Sequence, residues 1–411
     1  MINKSVFLLQ IILSLCSFYT WAQETKPIDF YGAVQVWMRY TALNPGSTVG
    51  ANQFNDAFDI SIRRYRIGVK GQPYPKISYN FSMGNNNLSR YQPNQSPKVL
   101  DAYVSYHVTN ELIITGGKHA WTGPSRYAAP STLSALGSDI NFSATPALNV
   151  HDDLLRRLSM ALRGRIQKLD YRIAFSKPFL YVSQPLSNQA VFVDNPTELN
   201  FSGYLKYQFW ETESMSSAFS PWTYLGDKKI LNIGAGWLYQ GKATQSLNVD
   251  GDTLDHPMRS FGIDLFYDQP IGQNALTFYV VYLNHSLGPD FVRYIGANNP
   301  ASGSANTLTL NGRGNSFPEA GTGQILFSNI GYLRQFENLG WQPNLLFELA
   351  DFEALDDLMI LYAIGINCLL DGHQSKLSFS YQSRPVFIEN EGKAEVEDRK
   401  GMMVLQYQIR F

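Results

Sequence analysis

From residue 30 to residue 411 the sequence repeats one device: apolar and polar side chains alternate over stretches of about ten residues. In 30–40, Phe30, Val34, Val36, Met38 and Tyr40 fall on one face, with Gln35 and Arg39 on the other. Ile77, Tyr79, Phe81 and Met83 oppose Ser78, Asn80 and Ser82. Leu100, Ala102, Val104 and Tyr106 oppose Asp101, Ser105 and His107, and Phe201, Leu205, Tyr207 and Phe209 oppose Ser202, Lys206 and Gln208. The last segment does the same and ends the sequence: Met403, Leu405, Tyr407, Ile409 and Phe411 alternate with Val404, Gln406, Gln408 and Arg410. Successive side chains of a strand point to opposite faces, so a period of two is strand patterning.

A soluble sandwich alternates too, and three further features favour a closed membrane barrel. The segments have the length of a tilted membrane-crossing strand. Aromatic residues crowd their ends (Phe30, Trp37, Tyr40, Tyr106, Phe209, Trp210, Trp237, Tyr239), as interfacial girdles do. The connectors alternate between short (71–76, 109–111, 167–168, 268–273, 371–374) and long (41–57, 118–154, 176–198, 284–322, 383–399). Composition agrees: 14% of residues are aromatic and 16% charged, against about 25% charged in an ordinary soluble domain. The best helical candidate for a span, 358–370, has 13 residues and contains Asn367, whereas a spanning helix needs about 20. In lipid every backbone polar group must be paired, which leaves a closed barrel.

The expected fold is therefore all-β, a transmembrane antiparallel β-barrel. Strands are predicted at 30–40, 58–70, 77–84, 99–108, 112–117, 156–166, 169–175, 199–210, 229–240, 257–267, 274–283, 323–336, 343–350, 358–370, 375–382 and 400–411. That is about sixteen, an even number that lets the last strand close on the first. One connector, 211–227, falls where a short turn is due. It is either a true long turn or hides a strand.

The first residues read as a secretory signal peptide. Lys4 is the basic n-region, 6–15 the apolar core, and Thr20-Trp21-Ala22 a small-residue cleavage site after Ala22. Residues 1–22 are thus set apart from a barrel domain at 23–411. Cys16 raises lipidation, but Leu15 stands where a small residue is expected. Removing Lys4 takes the net charge from −1 to −2, a balance that argues against a nucleic-acid partner. Only Cys368 then remains, so no disulfide can form within the chain.

A barrel of this size encloses an aqueous lumen, and lumenal charge sets its selectivity. Arg64, Arg66 and Lys70 share one strand face opposite Tyr65, Ile67 and Val69. Ile60 and Ile62 are out of phase with them, which predicts a β-bulge near Arg63. Arg157, Arg163 and Arg165 share a face opposite Leu158, Met160 and Leu162. These six residues are the expected basic lining, since guanidinium presents forked donors that match anionic oxygens. The connector 118–154 has a small, apolar middle at 128–148 with Pro130 and Pro146, which suits a loop folded against something. It is expected to fold into the lumen as the constriction, with Lys118, His119 and Arg126 facing the permeating ion; a surface lid is the alternative. His151-Asp152-Asp153 could hold a divalent cation, but a solvated loop is the plainer reading. No Ser–His–acid order, zinc spacing or phosphate-cradling glycine loop emerges, so no catalytic residue, metal or cofactor is assigned.

Several pieces in order resemble the phosphate-selective porin O and P family in its Bacteroidetes form. They are Arg63-Arg64-Tyr65-Arg66-Ile67-Gly68, Leu100-Asp101-Ala102-Tyr103, Gly116-Gly117-Lys118, Trp222-Thr223-Tyr224-Leu225-Gly226, Asn232-Ile233-Gly234-Ala235-Gly236, and Gly365-Ile366-Asn367 leading to Asp371-Gly372-His373 and Lys376-Leu377. The resemblance implies a sixteen-stranded trimeric barrel in the bacterial outer membrane, with an inward-folded third loop and a basic lumen favouring small anions such as phosphate. It also implies a terminal aromatic read by the insertion machinery. Arg64, Arg66, Arg157 and Arg163 match the family's arginine ladder. The long loops lack its lysine cluster, which points to a more general channel for anions or small hydrophilic solutes. Two rival readings are an outer-membrane lipid hydrolase, which needs a nucleophile beside a histidine, and a secreted glycan-binding β-protein.

Overall fold

The computed structural model describes residues 28–109, 111–179, 184–187, 189–193, 198–305, 309–337 and 339–411. The expected signal segment 1–22 lies outside them. Sixteen long strands form one closed antiparallel barrel: β1 Asp29–Ala42, β2 Asp56–Tyr74, β3 Ile77–Leu88, β4 Lys98–His107, β5 Ile113–His119, β6 Arg157–Ile166, β7 Leu169–Lys177, β8 Asn200–Gln208, β9 Ile230–Leu247, β10 Thr253–Ile271, β11 Asn274–Ser286, β12 Gly323–Gln335, β13 Gly340–Phe352, β14 Met359–Asp371, β15 Ser375–Asn390 and β16 Lys393–Arg410. Each of the sixteen predicted segments lies within or across one of these strands. The expected long connector 383–399 is corrected: β15 and β16 stay paired out to Asn390 and Lys393 and turn through Glu391 and Gly392, both at positive φ.

The last strand zips to the first, from Ala33 opposite Arg410 to Thr41 opposite Met402. Phe411 completes the seam by exchanging two backbone hydrogen bonds with Gly32, at 2.8 and 3.0 Å. The terminal ring lies over Gly32, where a Cβ would stand 2.4 Å from it. The pairing of β1 with β2 shifts register at Gln35/Val36 and steps over Arg63, leaving it as the extra residue. The expected bulge is there, and it turns both Arg63 and Arg64 inward, since both are buried.

The outward face is an apolar belt. Val36, Met38, Ile60, Met160, Leu162, Ile233, Ile263, Ile330, Ile364, Leu405 and Ile409 are among its exposed residues. Their strand neighbours, such as Gln35, Ser61, Ser159, Asn232, Asn367 and Gln406, are buried inside. Among the described residues no helix is long and apolar enough to cross a membrane. At the end opposite Asp29 and Phe411, 43–55 contributes two short strands paired with each other, the first of which also pairs with Gly303–Ser304, so the first and sixth long loops are knitted together.

Candidate functional site: a constricted lumen

The third loop, 120–156, leaves β5 and folds inside the barrel rather than over its rim. Its two short 3-10 turns, Arg126–Ala128 and Thr132–Ser134, are the only regular structure in it. Such a loop can lie inside because the wall satisfies its backbone. Gln35 donates to the Thr132 carbonyl, Asn367 to Leu136, Lys376 to Ala135 at 2.8 Å and Gln408 to Leu133. Its apolar residues Tyr127, Leu136, Ile140 and Leu148 join Phe266, Tyr279, Phe327 and Phe352 of the wall in one buried cluster. The small, apolar stretch read in 128–148 is accounted for by this packing.

The loop's tip is strung between two kinds of wall. On one side Asp139 takes both consecutive arginines of the bulge, Arg63 Nη2 at 2.9 Å and Arg64 Nη2 at 2.5 Å. Burial works to raise the Asp139 carboxyl, but the two guanidiniums outweigh it and hold it below the usual carboxylate range. On the other side Glu348 accepts from Asn141 and from Ser143 Oγ, and Glu319 accepts the Phe142 N–H at 2.5 Å. Burial, with Glu348 close by, pushes Glu319 well above its ordinary range.

A second segment enters from the other end. Residues 211–227 are a true long connector and hide no strand. They fold up into the lumen beneath the third loop. The Ser220 N–H donates to Ala129 and the Ser131 N–H to Ser220, at 2.9 and 2.8 Å. Trp222 packs edge-on against Tyr127 and Tyr279. Glu213 is the latch, 3% exposed at its side chain and bound to Arg126 Nη1 at 2.7 Å and Lys206 Nζ at 2.8 Å. Tyr224 Oη and Asn232 Nδ2 also donate to it, both at 2.7 Å. Burial works to raise its carboxyl, yet Arg126 and Lys206 win and hold it far below the usual range.

The residues singled out from sequence divide as follows. Arg64, Arg157 and Arg163 are buried on the lumenal face. Arg66 shares that face and donates to Tyr65, Asn85 and Asn86. Lys70 sits exposed at the turn end, its ammonium over the Tyr31 ring. Arg165 pairs with Asp170. Arg163 stacks on Trp121 at 4.0 Å and donates to Thr115 and Ser105.

Of the three residues given to the constriction, His119 faces inward from β5, where the Trp121 N–H donates to it. Arg126 is corrected: it is enclosed between Glu213 and the Phe266 ring, 3.7 Å away, and has no face left for a passing ion. Lys118 is corrected too. Lumenal side chains on β5 are those of Thr115 and His119, so the alternation turns Lys118 outward, opposite Leu158, where it pairs with Asp153 at 2.7 Å. His151, Asp152 and Asp153 diverge. His151 packs on Phe192, with burial pushing it down to about 3; Asp152 caps Asn149 and Leu155; and Asp153 goes to Lys118. Among the described residues no cluster has the makings of a metal site.

Sequence reasoning missed Arg63, Asp139, Glu213 and the four serine–histidine contacts. Arg63 was within reach, because a bulge sets two consecutive side chains on one face. The contacts are Ser78–His107, Ser159–His119, Ser246–His256 and Ser260–His285. They supply the serine beside a histidine that the lipid-hydrolase reading needs. Among the described residues none of these histidines hydrogen-bonds a carboxylate, and His285 turns its second nitrogen to the Ser143 carbonyl.

A sixteen-stranded barrel narrowed by an inward third loop is the architecture of the porins. An anion-selective porin from Comamonas acidovorans shares it with a TM-score of 0.54 at 12% identity, over 94% of this chain and 100% of that one. OprB of Pseudomonas putida gives 0.56 at 7% identity (93% and 94%), and OmpF of Salmonella typhi, solved with daunomycin, 0.51 at 11% (94% and 100%). At these identities the likeness is one of fold. No family model and no curated protein matches the sequence.

Proposed function

We propose that this protein is a channel of the bacterial outer membrane that passes small hydrophilic solutes by diffusion and prefers anions. The observation that carries the reading is the pairing of Arg63 and Arg64 with the single carboxylate of Asp139 at the constriction, which leaves one net positive charge there. Arg66 stands close by on the same face and forms no salt bridge among the described residues. Outward apolar rows support residence in lipid, and the turn end, where Asp29 and Phe411 lie, is read as periplasmic. Phosphate as the preferred anion, and a trimer, rest on the sequence resemblance.

Reversal potentials in a planar bilayer under a KCl gradient test the reading. Anion preference is expected, and clear cation preference would overturn it. The double variant R63E/R64E should move the reversal potential toward cations; an unmoved potential would remove these residues from the selectivity path. Phosphate titrated as a blocker of chloride current tests the finer claim, and native electrophoresis in mild detergent reads the trimer.

A further inference from the structure

The lumen contains a built pocket that conduction does not require. It is a cavity of about 60 Å³ between the inner wall of β6–β8 and the inserted segment. At roughly 10–15 Å³ per water it offers room for about four to six waters. Its polar side carries Arg163, Arg172 and Lys206 against Asp170 and Glu213. Both acids are already committed, Asp170 to Arg165 and Lys206, and Glu213 to Arg126 and Lys206. Arg163 and Arg172 form no salt bridge among the described residues.

Arg172 is the telling residue. It is 7% exposed, its Nη2 donates to the Ser125 carbonyl, and its Nε–H has no partner. Trp121, 7% exposed and also lining the pocket, has an unpartnered indole N–H. Buried donors are almost always satisfied, and a buried guanidinium without a carboxylate is costly unless something supplies one. The inserted segment lines the cavity with Met215, Ala218 and Phe219, set among Ser214, Ser217 and Ser220. Inorganic phosphate would set hydrated oxygens against those side chains.

We infer that this pocket binds a short-chain organic acid, its carboxylate taken by Arg172 and its alkyl part laid against Met215 and Ala218 of the inserted segment. The site deepens the anion reading, on which it partly rests. Its test uses binding alone, so that failure to bind and failure to conduct are separate results.

Saturation-transfer NMR of butyrate with the full barrel in detergent, against empty micelles, reads the binding. A saturable signal in the millimolar range is expected. R172Q, and A218F which fills the cavity, should each weaken it at least tenfold, while R313Q on the sixth loop should leave it unchanged. The heat-dependent gel shift of a closed barrel checks that each variant folds. Equimolar phosphate should leave the butyrate signal in place. The inference is overturned if there is no saturable signal, if phosphate displaces butyrate equally, or if R172Q and A218F, both folded, bind as the parent does.

Discussion

At the scale of single residues, the inserted segment is held by ionised groups that find partners elsewhere in the chain. Glu213 answers two cations, so removing it leaves Arg126 and Lys206 short of a buried partner. For E213A the expected local cost is about 3–5 kcal/mol, read as lost hydrogen-exchange protection at the Ser220 amide. The pH dependence follows from the depressed Glu213 carboxyl. A carboxyl held low in the folded state contributes stability above its ordinary range and loses it as pH falls through the folded value. Ser220 protection, corrected for the intrinsic pH dependence of exchange, is therefore expected to be the same at pH 5 and pH 7. A latch that loosened across that interval would contradict the ion pairing.

Elements add constraints that no single side chain carries. The inserted segment 211–227 fills the lumen from below, so deleting 214–220 should raise single-channel conductance severalfold while the barrel persists. Gly32 gives room to the terminal ring, and G32V is expected to weaken the β1–β16 seam. Refolding into lipid vesicles, followed by the appearance of the heat-resistant fast-migrating band, would show slower closure. The strands were legible because lipid on one side and packed polar interior on the other impose a strict period of two. Even the bulge at Arg63 announced itself, as an isoleucine pair out of phase. The inserted segment was not legible. Its residues carry no period, and its place is set by Ser220, Trp222 and Glu213 meeting partners on other strands and on the third loop. Lys118 misled for a related reason: loop membership was assigned to a residue that the strand's alternation still governs.

For the whole molecule, the apolar belt and the lumenal core are two separate hydrophobic systems, one facing lipid and one facing the third loop. They should respond differently to charge. I364R places a cation on the outward face and is expected to cost about 2–4 kcal/mol if Ile364 lies near the bilayer midplane, measured by urea unfolding in vesicles. Sodium dodecyl sulfate gels would show the loss of the folded band at lower denaturant.

The third loop's anchors have a bearing on the order of events in assembly. They run from Gln35 on the first strand to Gln408 on the last. A loop that touches both cannot be seated until the two ends of the chain have met, and contacts this distant in sequence are gathered late. The cylinder is therefore expected to exist first as a flooded, wide ring whose interior sets afterwards. A leak that opens early and then falls away as folding finishes would be the signature of that chronology.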